Sequence, residues 1–216
     1  MNSSLEFRNA YYIKLGRRGC WEVDSLTNSR LRLGWKNQKL EDINEARWKE
    51  IELQLRAENN VKPQVATTDL NRLRDIATSN PEDIWITFHG AKLWWARLTN
   101  DPVQSDHMSK YRQVQGTWSD KSFAGRLLVT SELPGKIAQL QAFRGTVCRV
   151  QEFELLRRVI TGERSDLAVD LSQRRNELAR SMRNAIQQLH WKDYETLVDL
   201  VFRFVFAVDF VAIGIL

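Results

Sequence analysis

Aromatic and cationic side chains lie close together along the middle of the chain, and this combination suits nucleic-acid binding. Tryptophan can stack on an unpaired base, and lysine and arginine bind phosphates. The side chains that we expect to contact a nucleic acid are Trp94, Trp95, Trp118, Lys92, Arg97, Arg112, Lys121, Arg126 and Arg144. The alternative is that these tryptophans pack in the core and that the cations belong to a solvated surface of mixed charge.

The sequence offers little evidence for metal-dependent or nucleophilic catalysis. His89, His107 and His190 are far apart and match no zinc-binding spacing. The sequence has neither a P-loop nor a dinucleotide-binding glycine motif, and no Asp…Glu-x-Lys arrangement that would hold Mg²⁺. Cys20 and Cys148 are too few for a disulfide framework, so we expect reduced thiols in a cytoplasmic protein. The sequence therefore predicts no metal site and no cofactor.

Composition is that of an ordinary globular protein with a mildly basic balance. The 216 residues are 43% hydrophobic and 27% charged, with a formal net charge of +5. These values argue against wholesale disorder, and the positive charge allows a nucleic-acid partner. The first residues lack the basic and apolar regions of a secretory signal.

The elements that must position these residues are short strands and amphipathic helices. Alternating and β-branched segments predict strands over 11–15, 31–35, 84–88, 92–98, 127–130 and 146–150. Gly90 supplies the positive φ that a tight hairpin needs, and a strand places Trp94 and Trp95 on opposite faces. Helices are predicted over 41–58, from a cap at 67–69 to before Pro81, and over 137–143, 166–189 and 191–202. This pattern predicts an α+β fold, with a small β-rich domain of mixed or antiparallel strands and flanking helices, followed by a long helical segment.

We predict three parts: an α+β recognition domain over 1–163, a connecting helix over 164–189, and the start of a further domain over 190–216. The outer face of the connecting helix carries arginines, of which Arg174 and Arg175 extend the expected phosphate contacts. Segment 197–216 is apolar and long enough to span a bilayer, but it contains charged residues such as Asp199 and Arg203. We therefore predict a core helix followed by a buried strand, and no membrane partner.

The segment HWKDYETLVDLVF, residues 190–202, resembles the opening helix of Mrr-type restriction endonuclease domains. The resemblance implies that Glu195 corresponds to a helix glutamate near the nuclease metal site. Residues 10–160 are similar to a module that precedes such domains in bacterial defence proteins. By analogy with other restriction enzymes, the module reads DNA, with a modified base as one option, in a small β-barrel.

The chain departs from this family after Phe202, because no Glu-x-Lys follows Asp209. We therefore expect a polypeptide truncated inside its nuclease domain, which binds DNA without cutting it. Two alternatives stay open. One is a Mg²⁺-dependent endonuclease completed by a partner chain. The other is a non-catalytic interaction domain, with its apolar C-terminal segment as a homo-oligomer interface.

Overall fold

The computed structural model describes residues 7–58, 62–163 and 166–212, and the α+β class predicted from the sequence is confirmed. The chain divides into two compact units, residues 1–163 and 164–216. The strands are β1 (Ala10–Ile13), β2 (Arg30–Leu33), β3 (Ile84–His89), β4 (Lys92–Ala96), β5 (Gln104–Ser105), β6 (Lys110–Gln113) and β7 (Val147–Arg149). The helices are α1 (Glu22–Thr27), α2 (Leu40–Asn44), α3 (Trp48–Ala57), α4 (Pro63–Ala77), α5 (Gly135–Ala138), α6 (Phe153–Thr161), α7 (Asp166–Gln187) and α8 (Trp191–Ala212).

A mixed four-stranded sheet forms the centre of the first unit. Its strand order is β4-β3-β1-β7, in which β1 and β3 are parallel and the other two pairs are antiparallel. Ile13 and Trp85 point into one core, while Tyr12, Ile84 and Ile86 point into a second core with Leu156 and Ile160 of α6. Both faces of the sheet are therefore covered, which explains why β1 and β3 are almost continuously apolar.

A smaller antiparallel sheet, in the order β2-β6-β5, lies over the first of these cores. Leu31 and Leu33 of β2 share that core with Leu73 and Ile76 of α4. The strands β1 and β2 and helix α4 thus pack in one core, which sets where the loops that follow β1 and β2 begin.

The hairpin between β3 and β4 turns through two residues. Gly90 has φ 58° and Ala91 has φ 57°. Positive φ at both central positions is typical of a type I′ turn, whose twist matches that of the flanking strands. The positive φ predicted for Gly90 is confirmed, whereas nothing in the sequence pointed to Ala91.

Four predicted elements of the first unit need correction. The helix over 41–58 is broken into α2 and α3 by Ala46, which has φ 55°. Helix α4 begins at Pro63 rather than at the predicted 67–69 cap, because proline suits the first helical turn. Residues 127–130 form isolated bridges and no strand. The predicted short helix over 137–143 is α5 followed by a turn of 3-10 helix over Gln139–Ala142.

The second unit contains α7 and α8, which confirms the two predicted helices. The predicted strand after 202 is wrong as far as Ala212, because α8 continues to that residue. The prediction that this helix lies in a core is also wrong, since Leu200 and Phe202 are 58% and 57% exposed. Residues 213–216 lie outside the described residues. No helix within the described ranges is long and apolar enough to cross a membrane.

Candidate nucleic-acid interface

One end of the four-stranded sheet collects basic residues from distant parts of the chain. The C-terminal ends of the parallel strands β1 and β3 meet at this end, and the antiparallel strands β4 and β7 begin there. Lys14 directly follows β1, Lys92 opens β4, and Arg144 lies just before β7. The backbone N–H of Lys14 donates to the carbonyl of Thr146 over 2.8 Å, which joins the first and last of these segments.

A cleft of about 410 Å³ opens beside the end of β1 and the start of β7. This volume is at the small end of the range for ligand sites in proteins. Its lining consists of Lys14, Gly16, Arg17, Arg18, Trp21, Arg32, Gly34, Arg144, Gly145 and Thr146. Every charged residue in this lining is positive, so we call it the basic cleft.

The loop over 15–21 presents Arg17 and Arg18 at the rim of the basic cleft. The backbone N–H of Trp21 donates to the carbonyl of Leu15 over 3.0 Å and closes the loop. Gly16 has φ 84°, and a Cβ placed on it would lie 2.6 Å from Cys20 Sγ. Glycine is therefore needed at this position, and the loop is tightly packed beneath its two exposed arginines.

The opposite wall is also built around a glycine. A Cβ on Gly145 would lie 2.6 Å from Arg72 Nη2 and 2.6 Å from the ring of Phe143. Arg72 is paired with Asp69 over 3.1 Å. The missing side chain at 145 therefore lets an additional guanidinium approach the wall that carries Arg144.

The basic cleft has an excess of unpaired positive charge. The side chains of Lys14, Arg17, Arg18 and Arg144 make no ion pair or hydrogen bond within the described part of the chain. Arg32, the fifth cation of the lining, is 1% exposed; it contacts Asp24 and lies 2.8 Å from Asp106. Four cations consequently line one small volume, and no described carboxylate pairs with any of them.

The acidic groups at this end of the sheet are paired with other side chains, although the carboxylate of Glu22 also lies against Gly19 of the loop that carries Arg17 and Arg18. Glu22 Oε2 lies 2.7 Å from His89 Nδ1, and Asp120 accepts a hydrogen bond of 2.6 Å from Lys92 Nζ. Lys92, one of the predicted phosphate contacts, is thus at the expected end of the sheet but already paired.

The tryptophans predicted to bind bases serve mainly in packing. Trp94 and Trp95 do lie on opposite faces of β4, since they contact different cores. Their indole N–H groups donate to the carbonyls of His89 and Lys121. Trp118 is 4% exposed and donates to the carbonyl of Arg30, so its rings are unavailable to a base at the surface.

Two of the predicted phosphate-binding arginines point inward. The guanidinium of Arg112 is buried and donates to four carbonyls, those of Ile76, Ala77, Ser79 and Thr99. It thereby caps the C-terminal end of α4, and burial lowers the pKa of Arg112. Arg97 is half-buried over the ring of Phe7, at 5.3 Å, and burial lowers its pKa as well.

The remaining predicted residues lie outside the basic cleft. Lys121 and Arg126 are on the loop that the Lys121–Leu127 bridge closes. Arg174, Arg175 and Glu195 are exposed on the helices of the second unit. No group of three or more His, Cys, Asp or Glu side chains that could hold a metal occurs among the residues with a described position. The role of Glu195 in catalysis stays a prediction.

Sequence analysis missed Lys14, Arg17, Arg18 and Trp21. Residues 16–19, Gly-Arg-Arg-Gly, indicate the end of a strand, and the two adjacent arginines between glycines are the signal in the sequence that could have located part of the basic cleft. No family model, curated protein or solved structure matches the chain. The resemblance to Mrr-type endonucleases therefore stays a prediction.

Proposed function

We propose that this protein binds nucleic acid, with DNA as the expected ligand, through phosphate contacts in the basic cleft. The observation that carries the proposal is the convergence of Lys14, Arg17, Arg18 and Arg144, none of which pairs with an anion among the residues that the structure describes. Guanidinium groups match phosphate geometry with paired hydrogen bonds, and each contact releases counterions from the nucleic acid.

Contacts of this kind hold the backbone and carry no sequence information by themselves. If all four cations engage phosphates of duplex DNA, the logarithm of affinity should fall with the logarithm of salt concentration with a slope of about −3 to −4. The resemblance described above extends the proposal to the recognition part of a restriction endonuclease-like protein. The basic cleft supports only the binding step, and no cleavage step is assigned to Glu195.

The direct test is a titration of labelled DNA by fluorescence anisotropy at about 50 mM and about 200 mM salt. We compare the wild type with the double variant Arg17→Gln/Arg18→Gln. Hydrogen bonds to charged groups are worth about 1.5–3 kcal/mol each, so the double variant should bind at least about tenfold more weakly, with a salt slope about two smaller in magnitude.

The matched control is Lys121→Gln/Arg126→Gln, which removes the same charge outside the basic cleft. It should retain near wild-type affinity. Equal losses in both double variants would show that only net charge matters, and absence of binding by the wild type at the lower salt concentration would disprove the proposal.

Cys20 provides an independent footprint of the same site. It is exposed and its Sγ lies against Gly16, whereas Cys148 is half-buried and burial raises its pKa. DNA bound at Arg17 and Arg18 should slow alkylation of Cys20 by iodoacetamide and leave that of Cys148 unchanged. Unaltered modification of Cys20 at saturating DNA would place binding elsewhere.

A further inference from the structure

Trp21 is the aromatic side chain that lines the basic cleft. It is half-buried, and its apolar body packs against the core below the sheet end. Its backbone is held on both sides, because its N–H donates to Leu15 and its carbonyl accepts the N–H of Ser25 at the first turn of α1. These bonds fix the backbone of Trp21 beside the loop that carries Arg17 and Arg18.

The indole N–H of Trp21, like those of Trp35 and Trp48, has no hydrogen-bond partner among the described residues, and of these three tryptophans Trp21 lines the basic cleft. Trp85, Trp94, Trp95 and Trp118 each donate their indole N–H to a protein oxygen. The indole N–H of Trp21 makes no hydrogen bond to any described residue, and it is not among the buried polar atoms that lack a partner. Its polar edge is therefore not used inside the protein, and the side chain lines the cleft.

Gly16 sets the position of this ring. A Cβ at residue 16 would lie 3.0 Å from Cδ2 and 3.1 Å from Cγ of Trp21. The indole consequently packs directly on the backbone of the loop that carries Arg17 and Arg18. An aromatic surface and phosphate-binding cations are then adjacent, which is the arrangement found in sites for single-stranded nucleic acids.

We infer that Trp21 stacks on an unpaired base, and that the ligand of the basic cleft is single-stranded nucleic acid or an unpaired stretch within a duplex. The inference rests on the proposed function, since the neighbouring phosphates are taken to bind Arg17, Arg18 and Arg144. In a paired duplex both faces of a base are stacked, so a base must leave the stack to reach the indole. The cleft volume of about 410 Å³ suits one nucleotide at a time.

The test compares a thymidine oligonucleotide of about 12 residues with an abasic strand of the same length. Both strands have the same phosphate charge, so their difference in affinity reports base contacts. The wild type should prefer the thymidine strand by about tenfold, as one stacked base contributes. It should also prefer the single strand over a duplex of the same length.

The decisive variant is Trp21→Leu, which keeps an apolar side chain against the core but removes the ring. It should lose most of the preference for the thymidine strand and retain its affinity for the abasic strand. Trp21→Phe should retain part of the preference. Trp48→Leu, a change at another half-buried tryptophan outside the basic cleft, should leave the preference intact.

The outcomes separate this inference from the proposed function. Equal binding of both strands by the wild type, unaffected by Trp21→Leu, would overturn the role of Trp21 and leave phosphate binding in place. Absence of binding to either strand and to the duplex at low salt would disprove the proposed function itself. Binding of free thymidine monophosphate as tightly as the thymidine strand would identify a free nucleotide, rather than a nucleic-acid chain, as the ligand.

Discussion

Arginines occur in two regions of the first unit under opposite conditions. In the interior, Arg112 gives its hydrogen bonds to four backbone carbonyls and Arg32 contacts Asp24 and Asp106. At the sheet end, Arg17 and Arg18 are exposed and have no partner among the described residues. Desolvation of a guanidinium is costly, and both Nη atoms of Arg112 are hydrogen-bonded, although Arg112 Nε and two nitrogens of Arg97 are buried without a partner. An exposed guanidinium can stay free for a ligand.

This difference indicates that a binding surface is marked by cations that are exposed and unpaired, and not by the number of cations in a segment. Arg112 and Arg144 were both predicted from the sequence to contact phosphates. In the structure, Arg112 caps the end of α4, whereas Arg144 lines the basic cleft. Substitutions in the two regions should therefore affect different measurements. Interior changes should lower the free energy of unfolding, and changes at the sheet end should lower affinity.

The largest effect should come from Arg112→Met. The substitution leaves several buried carbonyls around the end of α4 without a donor, and the free energy of unfolding should fall by about 3 kcal/mol or more. Urea denaturation followed by circular dichroism measures this loss. A loss of less than about 1 kcal/mol would mean that water replaces the guanidinium easily and would weaken the contrast between the regions.

Asp106→Asn should have the next largest effect and should depend on pH. The hydrogen bond from Arg32 holds the pKa of the Asp106 carboxyl well below its usual value. A group with a lowered folded-state pKa stabilises the protein above its unfolded pKa of about 3.9, and this contribution is lost as the pH falls towards the folded value.

We therefore expect Asp106→Asn to lower the free energy of unfolding by about 2 kcal/mol at neutral pH. The gap between variant and wild type should narrow as the pH drops below about 4. Denaturation curves at several pH values provide the measurement. A gap that is independent of pH would show that the carboxylate charge does not matter for holding Arg32.

Arg144→Gln tests the other region. Because Arg144 is exposed and unpaired, its loss should change the free energy of unfolding by no more than about 0.5 kcal/mol. Its affinity for DNA should fall several-fold, with a salt slope about one smaller in magnitude. Anisotropy titrations at several salt concentrations and urea denaturation of the same sample give both values. If Arg144→Gln lowered the free energy of unfolding and left the affinity for DNA unchanged, Arg144 would belong with the structural arginines and not with the phosphate contacts.

Lys92→Gln should have the smallest effect on both stability and affinity. It tests how far the phosphate-binding surface extends along this end of the sheet. Lys92 lies at the same sheet end but is paired with Asp120 at 2.6 Å and is only partly exposed. Half-exposed ion pairs contribute about 0–1 kcal/mol, so both stability and affinity should change little. A loss of affinity as large as that of Arg144→Gln would mean that the phosphate site extends along the start of β4.

Local pattern predicted most of the strands, with β5 and β6 as exceptions, but not the site. Alternation and turn residues located β1, β3, β4 and β7, and glycine at 90 located the hairpin. The parallel pairing of β1 with β3 depends on contacts between distant segments, which periodicity does not encode. The antiparallel pairing of β1 with β7 is equally non-local, and it is this pairing that brings Lys14 towards Arg144, so the basic cleft as a whole could not be found from the sequence.

The interior arginines show a second limit of sequence patterns. Arg112 lies on β6, a strand that was not predicted, and its four acceptors come from the end of α4 and the loop after β4. A charged residue in a strand is usually taken as solvent-facing. Its burial follows only from the free carbonyls that the fold places around it.

The exposed side chains of the second unit have a practical consequence for these titrations. Leu178 and Met182 on α7, and Phe202 on α8, are each more than half exposed. Large apolar side chains in water promote association as concentration rises. Anisotropy would then increase from aggregation of the protein on the probe, so affinities should be measured at high dilution and compared with light scattering of the same solutions.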